Sequence, residues 1–153
     1  MTPFKVTLAL PIVVPLLDVV KELADGLRHT HATIPELPAT DVVFRDLWKD
    51  ELMLGQNEDV SALLALFNDE FYSDGVVMFN QNNVESIARA CSAVRLRLRE
   101  RYLQSVADEA LETGEVELAK LPEPVRKAFM CYLFLATLQE LIIQRLDESI
   151  IGS

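Results

Sequence analysis

The feature that most constrains this chain is the segment VRKAFMCYLFLATLQELIIQRLDE, residues 125–148. Around its centre, from Ala128 to Leu138, apolar residues fall on nearly every side of a helix. A helix of that kind has no solvent face and must be surrounded. Two arrangements do this. The helix is the buried middle of a bundle, or it forms the seam of a homodimer through Leu135, Leu138, Ile142 and Leu146. Pro122 and Pro124 mark where it would begin, and it would run to about Asp147. Ile150 and Ile151 beyond it would pack on a partner or back on the domain. Gln139 and Glu140 end the apolar run short of the ~18 residues of a membrane span, so no membrane helix is expected.

The rest of the chain supplies helices to surround it. Val6, Leu8 and Leu10 alternate in FKVTLAL, residues 4–10, which reads as a short strand. Leu16, Leu17, Val20, Leu23, Ala24 and Leu27 then keep helical spacing to about His29. RHTHATIPELPATD, residues 28–41, is a polar loop with two prolines. Thr40 or Asp41 can cap a helix carrying Phe44, Leu47, Trp48 and Leu52 on one face. Gly55 in GQNED is read as its break, and Val60, Leu63, Leu64, Phe67 and Phe71 form the next stripe. SDG, residues 73–75, signals a turn, and VVMF, residues 76–79, is a second strand candidate. Asn82 and Glu85 have capping-box spacing for a long helix over 82–110, with Asn in place of the preferred Ser or Thr. A strand followed by a long helix therefore occurs twice, at 4–28 and 76–110. The two strands are expected to pair, since a lone strand leaves its backbone groups unsatisfied. The expected fold is mainly α: one domain over 1–153, a bundle of about five helices with a minor two-stranded β element.

One stretch resists this picture. In ACSAVRLRLRERY, residues 90–102, Arg95, Arg97, Arg99 and Arg101 alternate with other residues as in a strand. Yet Val84, Ile87, Cys91, Val94, Leu98 and Tyr102 make one stripe at spacings of three and four, so the helix prevails. Arg95 and Arg99 then flank the stripe on one side, and Arg97 and Arg101 on the other. Arginine stems can cover apolar surface while their heads reach acids or solvent. The structural reading is intramolecular salt bridges, and the functional one is a protein-partner surface, where arginine is favoured. Asp46, Asp50 and Glu51 are acids placed to meet arginines of the long helix.

The 153 residues carry 14 Lys and Arg against 24 Asp and Glu, a net charge of −10. Phosphate backbones and anionic membranes repel such a chain unless it concentrates its cations. Nucleic acid is therefore not an expected partner. Cys91 and Cys131 are the two cysteines. Both fall in apolar helical patterns, as buried thiols do, which suits the cytoplasm. The apolar N-terminal run is interrupted by Pro11 and Pro15 and continues as an amphipathic helix with no small-x-small site, which argues against a signal peptide.

Little in the sequence carries chemistry. His29 and His31 make a His-x-His pair of a kind metals favour, but a site needs a third or fourth ligand and no companion His is present. Exposed loop histidines are the simpler reading, and no metal or cofactor is expected. A catalytic cysteine would want a paired His. There is no Gly-rich phosphate loop, no nucleophile elbow and no calcium-loop spacing.

The segments FRDLWKDEL, FNQNNVES, ARACSAVRLRLRERYL and FLATLQELIIQRLD, in that order after a strand and helix, resemble a bacterial family of domains of unknown function, number two thousand and seventeen in that series. The best-matched positions are Arg89, Ala90, Arg95 and Leu96, and later Leu138, Gln139 and Glu140. Members are similar in being small, mostly helical cytoplasmic proteins. Their genes often lie near that of the Clp protease adaptor, and some carry the label of regulators. Where this chain has Ser92 and Ala93 the family often has an Asn-Asp pair, and a Gly-Thr pair near Arg99 and Glu100, so roles of those residues do not transfer. The resemblance implies no catalytic residues. The expected function is a non-enzymatic cytoplasmic interaction or regulatory protein with a protein partner, homodimerisation being open, acting through the helix flanked by Arg95, Arg97, Arg99 and Arg101. The alternatives are a transcriptional regulator with a hidden basic patch, and a small enzyme with an acid-lined pocket.

Overall fold

The computed structural model describes residues 2–29 and 42–151, with side-chain surroundings for 2–29 and 50–147. The cap expected at Thr40 or Asp41, His31, and the side chains of Phe44, Asp46, Leu47, Trp48, Ile150 and Ile151 lie outside the described residues. The elements are β1 (Phe4–Thr7), α1 (Leu10–Leu27), α2 (Val42–Ala65), α3 (Asp69–Asp74), β2 (Val76–Phe79), α4 (Val84–Arg101), α5 (Asp108–Thr113), a 3-10 turn (Leu118–Lys120) and α6 (Glu123–Ile151). The fold is mainly α with a small antiparallel sheet.

The two strands pair as expected, from Phe4 opposite Phe79 to Thr7 opposite Val76. Phe4 stacks on Phe79 at 5.0 Å between ring centroids. Gly75 joins the sheet to α3. Its φ is +77°, and a Cβ there would stand 2.5 Å from the Leu8 carbonyl oxygen. The Gly75 carbonyl accepts from the Leu8 amide at 2.7 Å, so only glycine fits this corner. The first strand is shorter than its alternation suggests, because α1 already begins at Leu10 with Pro11 in its first turn.

α6 is central. Phe129, Cys131, Leu135, Leu138 and Ile142 are each at most 1% exposed and face a core shared with α1 and α4. This corrects the homodimer seam drawn through Leu135, Leu138 and Ile142: those side chains are consumed within the chain. Leu146 is half-buried against the same core. By length and composition, Glu123–Asp147 is apolar enough to cross a membrane, with a mean hydropathy of 1.3. Its packed face shows why a core helix meets the same criterion.

Three boundaries differ from the sequence reading. Gly55 does not break α2, which runs through it. A mid-helix glycine costs about 1 kcal/mol relative to alanine, and buried Gln56, Val60 and Leu63 just beyond it hold the helix. Phe67 and Phe71 do not continue that helix. Asn68 starts α3 by accepting from the Phe71 amide at 3.1 Å. The long helix ends at Arg101, not near residue 110. Extending its apolar stripe past Tyr102 would bring Ser105 and Glu109 onto the buried face. The chain instead turns, Leu103 drops into the core, and Arg99 pairs with Asp108 at the start of α5. Asn82 is not the cap. The Asn80 side chain accepts from the amides of Asn82 and Asn83, and Asn83 returns a bond to the Asn80 amide at 2.8 Å.

Candidate functional site: the groove between α2 and α4

α4 lies between α2 and α6, and its two flanks are unlike. Against α6 it closes. Arg95 donates from Nη1 to Gln139 Oε1 at 2.5 Å and from Nη2 to the Tyr132 hydroxyl at 3.0 Å. Its guanidinium sits 4.5 Å from the Tyr132 ring centroid, a cation–π contact. Gln139 donates back to the Ala88 carbonyl at 2.8 Å and to Ser92 Oγ at 2.6 Å. One glutamine thus ties α6 to three positions of α4. The same seam holds both thiols. Burial pushes Cys91 up to about 12, with a smaller upward push from Cys131 and a lowering by Arg95. Burial likewise pushes Cys131 up to about 12. Thiols in that state are not nucleophiles near neutral pH.

Against α2 the helix leaves a groove of about 340 Å³. Its floor is apolar: Leu52 and Gly55 from α2, with Ala90, Ala93 and Leu96 from α4. Leu96 is 38% exposed. A Cβ on Gly55 would meet nothing within 4 Å among the described residues, so the glycine deepens the groove there. Asp59 and Arg89 bridge the two walls. Arg89 donates from Nε to Asp59 Oδ2 and from Nη2 to Oδ1, both at 3.0 Å, a bidentate pair. Asp59 is 13% exposed and Arg89 60%. The hydrogen bonds to Asp59 hold the Arg89 guanidinium above its usual value, against a lowering by burial, and the charges of Asp59 and of Glu85 at 3.9 Å add to the rise. Gln56, also lining the groove, donates its amide to the Leu27 carbonyl and so fastens α2 to the end of α1.

The four arginines singled out by their alternation separate in space, on the two sides the helical reading assigned. Arg95 is spent on α6. Arg99 closes the turn to Asp108. The Arg97 side chain is only 14% exposed and lies 3.8 Å from Glu100. Arg101 is exposed, with its guanidinium about 4 Å from where a Gly26 Cβ would stand, over the end of α1. Asp50 and Glu51 are exposed, and the acid of α2 that meets Arg89 is Asp59 instead. His29 is exposed just beyond α1. Among the described residues no cluster of three His, Cys, Asp or Glu side chains could hold a metal ion.

The family model described as Domain of unknown function (DUF2017) matches residues 27–146. The chain belongs to this family. The DUF2017 span contains both walls of the groove and the α4–α6 seam, and begins at the last residue of α1. The positions that carried the resemblance converge here: Arg89, Ala90 and Leu96 line the groove, and Arg95 and Gln139 lock α4 to α6. No curated protein and no solved structure matches the chain. Asp59, Gln56 and Gly55 were missed as site residues. Asp59 and Arg89 are 30 positions apart, beyond any local periodicity. The usable signal was Gly55, a glycine inside a pattern that is helical on both sides.

Proposed function

We propose that this DUF2017 protein is a non-enzymatic interaction or regulatory protein whose contact surface is the groove between α2 and α4. The observation that carries this reading is an apolar floor left open, among the described residues, beside a buried polar seam on the same helix, with Leu96 exposed and no described neighbour near Gly55. A groove between two helices can receive the apolar side chains of a partner helix. A bacterial cytoplasmic setting and a neighbourhood near the Clp protease adaptor, implied by the resemblance, accord with a regulatory role. Arg101 would stand at the margin of a larger contact. A DNA-binding role gains no support, because Arg89 and Arg99 each carry a carboxylate partner that offsets attraction to phosphate.

The test is capture from native lysate by the wild-type chain, by Gly55→Trp, which fills the groove, and by Arg101→Glu. Charge reversal at Arg97 is avoided because it would place a carboxylate where the side chain is covered. A protein held by wild type and lost by folded Gly55→Trp supports the reading. Equal capture by both removes the groove from the function.

A further inference from the structure

Resting on that reading, we infer that the groove takes one class of partner: an amphipathic helix of another protein, with Lys or Arg flanking its apolar stripe. Shape comes first. The walls are two helices side by side, and a third helix nests over such a pair by setting its ridges into their groove, at axis separations of about 8–10 Å. Close approach needs small residues on the walls. Gly55 on α2 and Ala90 and Ala93 on α4 provide them. A volume of about 340 Å³ is at the low end for a small-molecule pocket, roughly 300–1,000 Å³. It suits a few apolar side chains projected at helical spacing into an open channel.

Charge selects among such helices. Glu51 lines the groove, and Glu58 and Glu85 are exposed on the same two helices. The one cation among the described lining residues, Arg89, already faces Asp59 in bidentate geometry and Glu85 at 3.9 Å. Among the described residues the rim therefore carries more carboxylates than cations, in line with the net charge of −10. That field steers a cationic helix inward and turns an acidic one away.

The experiment selects a displayed library of amphipathic helical segments, random on their polar positions, against the full chain, with counter-selection on Gly55→Trp. The expected pool is enriched in Lys and Arg beside apolar residues at i, i+3 and i+4. A peptide from it should lose about tenfold or more in affinity on Leu96→Glu and on Glu51→Lys, two exposed positions that folding tolerates, and should weaken as salt rises. Selection of acidic or uncharged peptides overturns the inference. So does a pool retained equally by wild type and Gly55→Trp, or a peptide indifferent to Glu51→Lys. If such a failure comes while Gly55→Trp still loses a captured lysate protein, the groove remains a contact surface and only the occupant class is wrong. If capture is also unaffected, the broader reading falls with it.

Discussion

The two flanks of α4 set a closed interface beside an open one on the same 18-residue helix. Toward α6, Val94 and Leu98 are fully buried, and Arg95 is folded over Tyr132 and tied to Gln139. Toward α2, Leu96 is exposed, Gly55 faces space, and the bridging pair Asp59–Arg89 is partly solvated. The first flank is closed by packed side chains and by the hydrogen bonds of Arg95 and Gln139, although Arg95 Nε is buried without a partner. The second is just as extensive, with Val60 and Leu63 of α2 fully buried, and is open among the described residues only at the groove. An interface can be left incomplete without endangering the fold when a neighbouring interface already supplies the stability.

This contrast can be broken by mutation. The largest difference should separate Leu98→Ala from Leu96→Ala. Leu98 has no exposed surface, and its truncation should cost about 2–5 kcal/mol, as core cavities do. Leu96→Ala, two residues earlier on the groove, should stay within about 1 kcal/mol. Urea unfolding of both decides it. A Leu96 cost near that of Leu98 would mean that the groove is filled in solution, as by a second copy of the chain.

Next come the two arginines. Arg95→Met keeps the stem but removes the cation–π contact and two hydrogen bonds, and should cost about 1–3 kcal/mol. Arg89→Met/Asp59→Leu removes the pair without leaving the buried Asp59 carboxylate unpartnered, and should cost no more than about 1 kcal/mol. Equal costs would show that the Asp59 bridge is as structural as the α6 seam.

Gly55→Ala should raise stability by about 0.5–1 kcal/mol, since the helix gains propensity and the new methyl meets nothing. A loss instead would reveal a neighbour over the groove. Smallest at neutral pH is the effect of the thiols. Unfolded cysteines ionise near pH 8.5, whereas Cys91 and Cys131 ionise at about 12 in the folded chain. Between those values the unfolded state holds fewer protons, so stability falls as pH rises through that window and is unaffected below it. Denaturation midpoints from pH 7 to 10 should show a decline beginning above about 8.5, one that disappears in Cys91→Ala/Cys131→Ala. Alkylation of either thiol at pH 8 should proceed only as fast as the chain opens.

Much of the architecture was legible because it is periodic. The stripe from Val84 to Leu98 separates inner from outer residues at one helical turn per step, and it placed Arg95 and Arg97 on opposite flanks. The all-round apolar character of residues 128–138 suggested a surrounded helix, yet Met130, Leu133 and Phe134 are only half-buried and the helix packs one face on α1 and α4. Strand pairing followed from the need of each strand for a partner. The errors came where a local signal met a nonlocal one. Gly55 is a breaker by propensity, and about 1 kcal/mol of propensity yields to the packing of the turn that follows. The long helix stopped early because its stripe ran out at Tyr102, a limit visible in the sequence but overridden by the absence of Gly or Pro.

The sequence by itself determined the fold class, the burial of Cys91 and Cys131, and the side of α4 each arginine takes, since each follows from which face of a single element can meet water. Only the tertiary structure decided that Arg95 belongs to Tyr132 and Gln139, that Asp59 rather than Asp50 or Glu51 receives Arg89, and that α2 and α4 part to leave a groove. Those are distances between elements far apart in the chain. Periodicity gives the direction a side chain points, and the packing of whole helices sets how near its neighbour comes.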